Sequence, residues 1–105
     1  MKIETPNIIK LFEQIYDIPH SGGEGMDAKD AVGRRIAELC AQRNMAVNAL
    51  ADLCGMPSST IYSMLNMKSQ NPGVITIQKL CDGLEISVRE FFNSPLFENL
   101  EQVIK

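Results

Sequence analysis

The apolar positions of this chain recur at helical spacing almost from end to end, interrupted by short polar or Gly/Pro-containing breaks. In the stretch 47–66, Leu50, Ala51, Cys54, Gly55, Met56, Ile61 and Met64 have the spacing of two short helices that meet across a turn of three to four residues. Leu50, Cys54, Ile61 and Met64 form the inner seam. Ala51 is small where the second helix must approach, and Gly55 can take the positive φ that the turn demands. Upstream, Val32, Ile36, Leu39 and Cys40 form the inner stripe of a helix from Asp27 or Ala28 to Arg43, with Arg34 and Arg35 pointing away from it to solvent or to a phosphate and Asn44 as its stop. Downstream, Ile77, Leu80, Cys81 and Leu84 define a helix over 74–84, with Gly83 weakening its end. Ser87 and Glu90 then make a capping box, Ile86 is placed as a hydrophobic staple, and Phe91 and Phe92 plug the domain from a short helix over 87–92.

Two further stripes lie outside this five-helix set. Thr5 and Pro6 make a good helix start, and Ile8, Leu11, Phe12, Ile15 and Tyr16 follow at i, i+3, i+4, i+7, i+8. After the break at Asn93, Ser94 and Pro95, the residues Leu96, Phe97, Leu100, Val103 and Ile104 predict a last helix of about two and a half turns. The organisation is therefore an amphipathic helix in 1–19, a flexible linker HSGGEG in 20–25, a domain in 26–94 and a C-terminal helix in 95–105. The first segment is either a native arm or an attached peptide. Both terminal stripes need cover. The expectation is a helix-in-groove contact through Ile8, Leu11, Phe12, Ile15, Leu96, Phe97, Leu100 and Ile104, within one chain or with a second copy.

The polar positions of the second short helix carry the functional signal. At about 100° per residue, Ser58, Ser59, Tyr62, Ser63 and Asn66 share an arc of roughly 140°, and no acid lies in 58–66. Ser and Asn are poor helix formers, so helix stability does not explain an exposed face built from them. Hydroxyls and an amide without carboxylates can lie against phosphates and base edges without repulsion, as a helix in the DNA major groove must. The break MKSQNPG follows, and Lys68, emerging at the end of that helix, is the leading candidate for a phosphate contact.

These residues resemble the Cro/C1-type (Xre-type) helix-turn-helix domain of bacterial and phage regulators. The likeness covers 32–92 and rests on the opening amphipathic helix, the core LADLCGMPSSTIYSML, the step Asn71–Pro72 and the closing ISVREFF. It implies an all-α, five-helix lambda-repressor-like DNA-binding domain, here with an extra amphipathic helix at each terminus. It further implies that the helix over 58–66 reads the major groove of double-stranded DNA while the start of the preceding helix, at Asn48, contacts the sugar-phosphate backbone. The chain departs from the pattern in having Val47 where the family often has Gln, and Met67 where it often has Gly.

Composition narrows the possibilities. A chain of 105 residues with 45% hydrophobic residues can bury a single core. No run is apolar and long enough to span a bilayer, and the N-terminal stretch lacks a basic region followed by an apolar core, so a cytoplasmic protein is expected. The net charge of −3 runs against the basic habit of nucleic-acid-binding domains. Its distribution is more favourable, because Asp52 and Lys68 are the only formal charges in 45–72. With few cations nearby, the phosphate attraction is weak and a homodimer is expected on DNA. Cys40, Cys54 and Cys81 occupy apolar positions at unequal separations, which reads as small buried hydrophobes rather than a metal or redox site. No nucleophile and base pair or phosphate-cradling loop suggests an enzyme or a cofactor. The sequence thus reads as a sequence-specific DNA-binding transcriptional regulator. The alternative on the same fold is a protein-interaction or antitoxin-like module binding a partner through its terminal helices.

Overall fold

The computed structural model describes residues 26–66 and 71–104. The N-terminal stripe, the linker and Lys68 lie outside the described residues. Among the described residues five α-helices follow one another, α1 (Ala28–Gln42), α2 (Val47–Cys54), α3 (Ser58–Leu65), α4 (Val74–Leu84) and α5 (Val88–Phe91), and then a 3-10 turn, Pro95–Phe97. Among the described residues there is no strand, and no helix is long and apolar enough to cross a membrane.

Helix α1 begins at Asp27, whose Oδ1 accepts from the Asp30 amide at 3.1 Å while the Asp30 carboxylate accepts from the Asp27 amide at 3.2 Å. This reciprocal box satisfies two amides that the first turn leaves without helical partners. The Asp30 amide also holds the Asp27 carboxyl below the usual carboxylate range. Nine residues of α1 are buried, including Ala31, Gly33, Ala37 and Ala41 as well as the predicted stripe. The helix is therefore the central one, packed by α3 on one side and by the 3-10 turn on another. Gly33 explains how close α3 comes. A β-carbon there would stand 2.5 Å from the Met64 carbonyl oxygen, so only hydrogen fits.

Three of the helices end in the same way. Asn44, Gly55 and Glu85 take φ of 54°, 65° and 58°, and the residue after each donates its amide back to a carbonyl of the last turn: Met45 to Cys40 at 2.9 Å, Met56 to Ala51 at 3.1 Å, Ile86 to Cys81 at 3.0 Å. This is the Schellman arrangement, and it tips one apolar side chain per helix end onto the core. The stop at Asn44 and the positive φ at Gly55 agree with the sequence reading. Gly83, expected only to weaken α4, has a packing role instead. A β-carbon there would lie 2.5 Å from Cys54 Sγ and 3.1 Å from the Leu53 carbonyl, so its absence lets α4 close on the end of α2.

The core gathers Val32, Ile36, Leu39, Leu50, Ile61, Leu65, Leu80, Leu84 and Phe91 with the three cysteines. Each fully buried Leu, Ile or Phe contributes about 1.5–3 kcal/mol of transfer free energy. Cys40, Cys54 and Cys81 are free thiols inside it, as expected of small hydrophobes. Burial, reinforced by the neighbouring Cys54, pushes the Cys40 thiol up from 9.0 to about 12. Burial likewise raises Cys54 and Cys81.

Four expectations are corrected. Arg35 neither faces solvent nor is available to a phosphate. It is 7% exposed, and its guanidinium donates to the Phe91 carbonyl at 2.6 Å, the Glu90 carbonyl at 2.9 Å and Glu38 Oε1 at 2.9 Å, closing the last turn of α5. Phe91 is fully buried but Phe92 is 39% exposed, so one phenylalanine plugs the core and the other flanks it. Half of the predicted capping box forms, with Ser87 Oγ accepting from the Glu90 amide at 2.9 Å.

The fourth correction is the C-terminal helix over 95–105, which is not formed among the described residues. After the Pro95–Phe97 turn the chain runs without helix to 104, and the Glu101 amide donates to the Met26 carbonyl at 2.9 Å. Phe97 stacks edge-on against Phe92 at 4.9 Å and lies 6.5 Å from Phe91. Docking of this ring and the backbone bond from Glu101 to Met26 replace the helical stripe. Leu96, Phe97 and Leu100 are half-buried, whereas Val103 and Ile104 stay exposed. The predicted helical surface of Leu96, Phe97, Leu100 and Ile104 therefore does not exist as one face.

Candidate nucleic-acid interface

Helices α2 and α3 are joined by Gly55, Met56 and Pro57. The left-handed Gly55 reverses the chain, and Pro57, fixed near φ −64°, sets the entry to α3 without a side-chain cap. Ile61, Met64 and Leu65 are 0%, 3% and 1% exposed and anchor α3 to α1 and α2. Burying these three orients the rest of the helix, since side chains about 180° away must face outward. Ser59 is exposed, and Ser58, Tyr62, Ser63 and Asn66 are half-buried on the same side. Asn66 continues the last turn, its amide donating to the Tyr62 carbonyl at 2.9 Å.

The five predicted base-reading residues are thus brought together on one side of α3. They are not equivalent, because Tyr62 also packs part of its ring against the core while Ser59 stands clear of it. Asn48 is exposed in the first turn of α2, where Ala46 supplies no side-chain cap. Neither α2 nor α3 has an acid in its first turn, so the positive poles of both helices are left uncompensated by carboxylates. Val47 is wholly buried, which makes it a core residue at the start of α2 rather than a surface contact.

Arg43, which the sequence places at the end of the first helix of the domain, lies outside the predicted site. It is exposed in the turn that leads into α2, five residues before Asn48, and brings a cation to that approach. Its place directly upstream of the first turn of α2 was the available signal. The exposed Asp52, in the last turn of α2, is the one acid within the described part of 45–72.

A pair of short helices locked along a buried seam, the second turning an acid-free polar side outward, is a helix-turn-helix unit, here set in a five-helix domain. The chain belongs to the Cro/C1-type HTH DNA-binding domain family, whose model matches residues 35–94. It is 31% identical over 74 residues to the HTH-type transcriptional regulator PuuR of Escherichia coli (strain K12), and equally to that of Shigella flexneri. Each alignment takes in 70% of this chain but 40% of the relative, so the chain spans about 40% of the length of the curated relatives it matches. The crystal structure of the prophage Lp1 protein 11 is similar with a TM-score of 0.62 at 33% identity, covering 71% of this chain and 99% of that one.

Proposed function

We propose that this domain is the DNA-reading part of a sequence-specific transcriptional regulator, acting in the cytoplasm by binding rather than by catalysis. In this reading α3 lies in the major groove. Ser58, Ser59, Tyr62, Ser63 and Asn66 meet base edges directly or through water, and Asn48, Lys68 and the exposed Arg43 meet the phosphates. The observation that carries it is the outward side of α3, hydroxyl and amide throughout and free of carboxylate, opposite the buried Ile61, Met64 and Leu65.

Side chains of this type seldom make the bidentate guanine contact typical of Arg. Specificity therefore rests on Asn66, on the exposed part of the Tyr62 ring against thymine methyls, and on water-bridged serines. The test is to select a binding site from random duplex DNA and then compare wild type with Ser59→Glu. A carboxylate at this exposed position faces the phosphate field at a cost of several kcal/mol, so affinity for the selected site should fall roughly 100-fold or more. The melting temperature should barely change, because Ser59 supports no core contact. Undiminished binding by the folded variant would remove α3 from the interface.

A further inference from the structure

The domain has an apolar groove on which the functional reading makes no demand. Its volume is about 410 Å³, and its walls include Asp27 and Val32 from the start of α1, Pro72 from the loop before α4, Ile77, Phe92 and Val103. Phe92 is 39% and Val103 81% exposed, and Ile104, next to Val103 in the chain, is 87% exposed. Apolar rings and branched chains left open around a concave surface gain free energy from any apolar occupant. Other exposed apolar residues, Leu53, Ile75 and Val88, do not line this groove.

We infer that the groove receives residues 8–16 of the same chain. Connectivity sets the occupant: Asp27 and Ala28 are themselves groove walls, so the segment that precedes them in the chain is tethered at the rim. Its stripe of Ile8, Leu11, Phe12, Ile15 and Tyr16 supplies apolar surface to cover those walls. The ten residues from Asp17 to Met26, containing the SGGEG run, can span up to about 35 Å, enough to turn back onto the groove. Such a tether holds the stripe at an effective concentration in the millimolar range. A contact too weak to form between separate molecules is then populated within one. The Glu101 to Met26 backbone bond fixes the tail bearing Val103 beside the same rim, so both ends of the domain shape the site.

Amide exchange and chemical shifts on the full chain test this. Amides of 8–16 should exchange about tenfold or more slowly than in an unstructured peptide, and the protection should not change on dilution. Changing Leu11 and Phe12 together to Ser should abolish that protection and move the resonances of Asn71, Ile77, Phe92 and Val103. The single change Val103→Asp, at a site too exposed to carry the fold, should weaken the protection in the same direction. Unprotected amides throughout 8–16 overturn the proposal. So do shifts confined to Leu53, Ile75 or Val88, which would place the segment elsewhere. Protection lost on dilution would assign the contact to a second copy and overturn it as an intramolecular one.

Discussion

Arg35 shows how much a single buried cation can organise. Three hydrogen bonds, two to carbonyls of α5 and one to Glu38, leave its charge compensated at 7% exposure, and Ser94 Oγ donates to the same Glu38 oxygen at 3.5 Å. α5 has four residues and cannot be stable from its own backbone bonds. It depends on Phe91 inside the core and on Arg35 at its carbonyl end. Arg35→Met keeps much of the side-chain volume while removing all three donors. Leaving the buried carbonyls and Glu38 unsatisfied should cost about 2–4 kcal/mol, read as a lower urea midpoint with unchanged slope. A loss under about 0.5 kcal/mol would mean that water replaces the guanidinium without penalty.

Between elements, the decisive quantity is how closely α1 and α3 approach. The seat of α3 has a backbone carbonyl, that of Met64, pressed against the α-carbon of Gly33. Carbonyl oxygens of a helix cannot rotate away as side chains do. Gly33→Ala would gain up to about 1 kcal/mol in helix propensity, but the 2.5 Å approach must open by roughly an ångström. The clash should win, with a net destabilisation of about 1–3 kcal/mol. Because the displaced group sits in the last turn of α3, amide shifts should be largest for Met64, Leu65 and Asn66. A variant as stable as wild type with shifts confined to α1 would contradict this packing. The same mutation is expected to weaken binding of the selected DNA, as tilting α3 moves the proposed reading surface.

At the scale of the molecule, charge sets the terms of association. A net charge of −3 and few cations beside α2 and α3 mean that phosphate attraction contributes little to binding. One eight-residue helix in one groove then falls short of the affinity typical of specific regulators. Two domains related by a two-fold axis would combine their contacts, so the selected site should be a palindrome with half-sites about 34 Å apart, one helical turn. Footprinting of the selected site checks this, with paired protection expected. Full affinity on an isolated half-site would show that a single domain suffices.

The sequence by itself determined the elements from 26 to 92 and the composition of the outward side of α3. Helical period, the Asn44 and Gly55 stops and the Ser87 cap are local, and a chain of local preferences suffices to place helices and their boundaries to within a residue or so. The polar residues of α3 were legible for the same reason: once Ile61 and Met64 face in, helical geometry leaves Ser59 and its neighbours facing out. Other features depended on distant partners. Arg35 lies three residues after Val32 and four before Leu39, which places it near the buried stripe, but only the arrival of α5 supplies the carbonyls that make burial of a guanidinium tolerable. Glu85 bears no local mark of a left-handed residue, and it adopts that φ where Ile86 packs onto the core. Gly83 reads in sequence only as a weakening position, and the packing roles of Gly33 and Gly83 arise from the helices that come against them. The tail from Leu96 has the period of a helix, yet Phe97 stacks on Phe92 and the Glu101 amide finds the Met26 carbonyl. A short stripe gains too little from its own hydrogen bonds to outweigh contacts that only the folded domain offers.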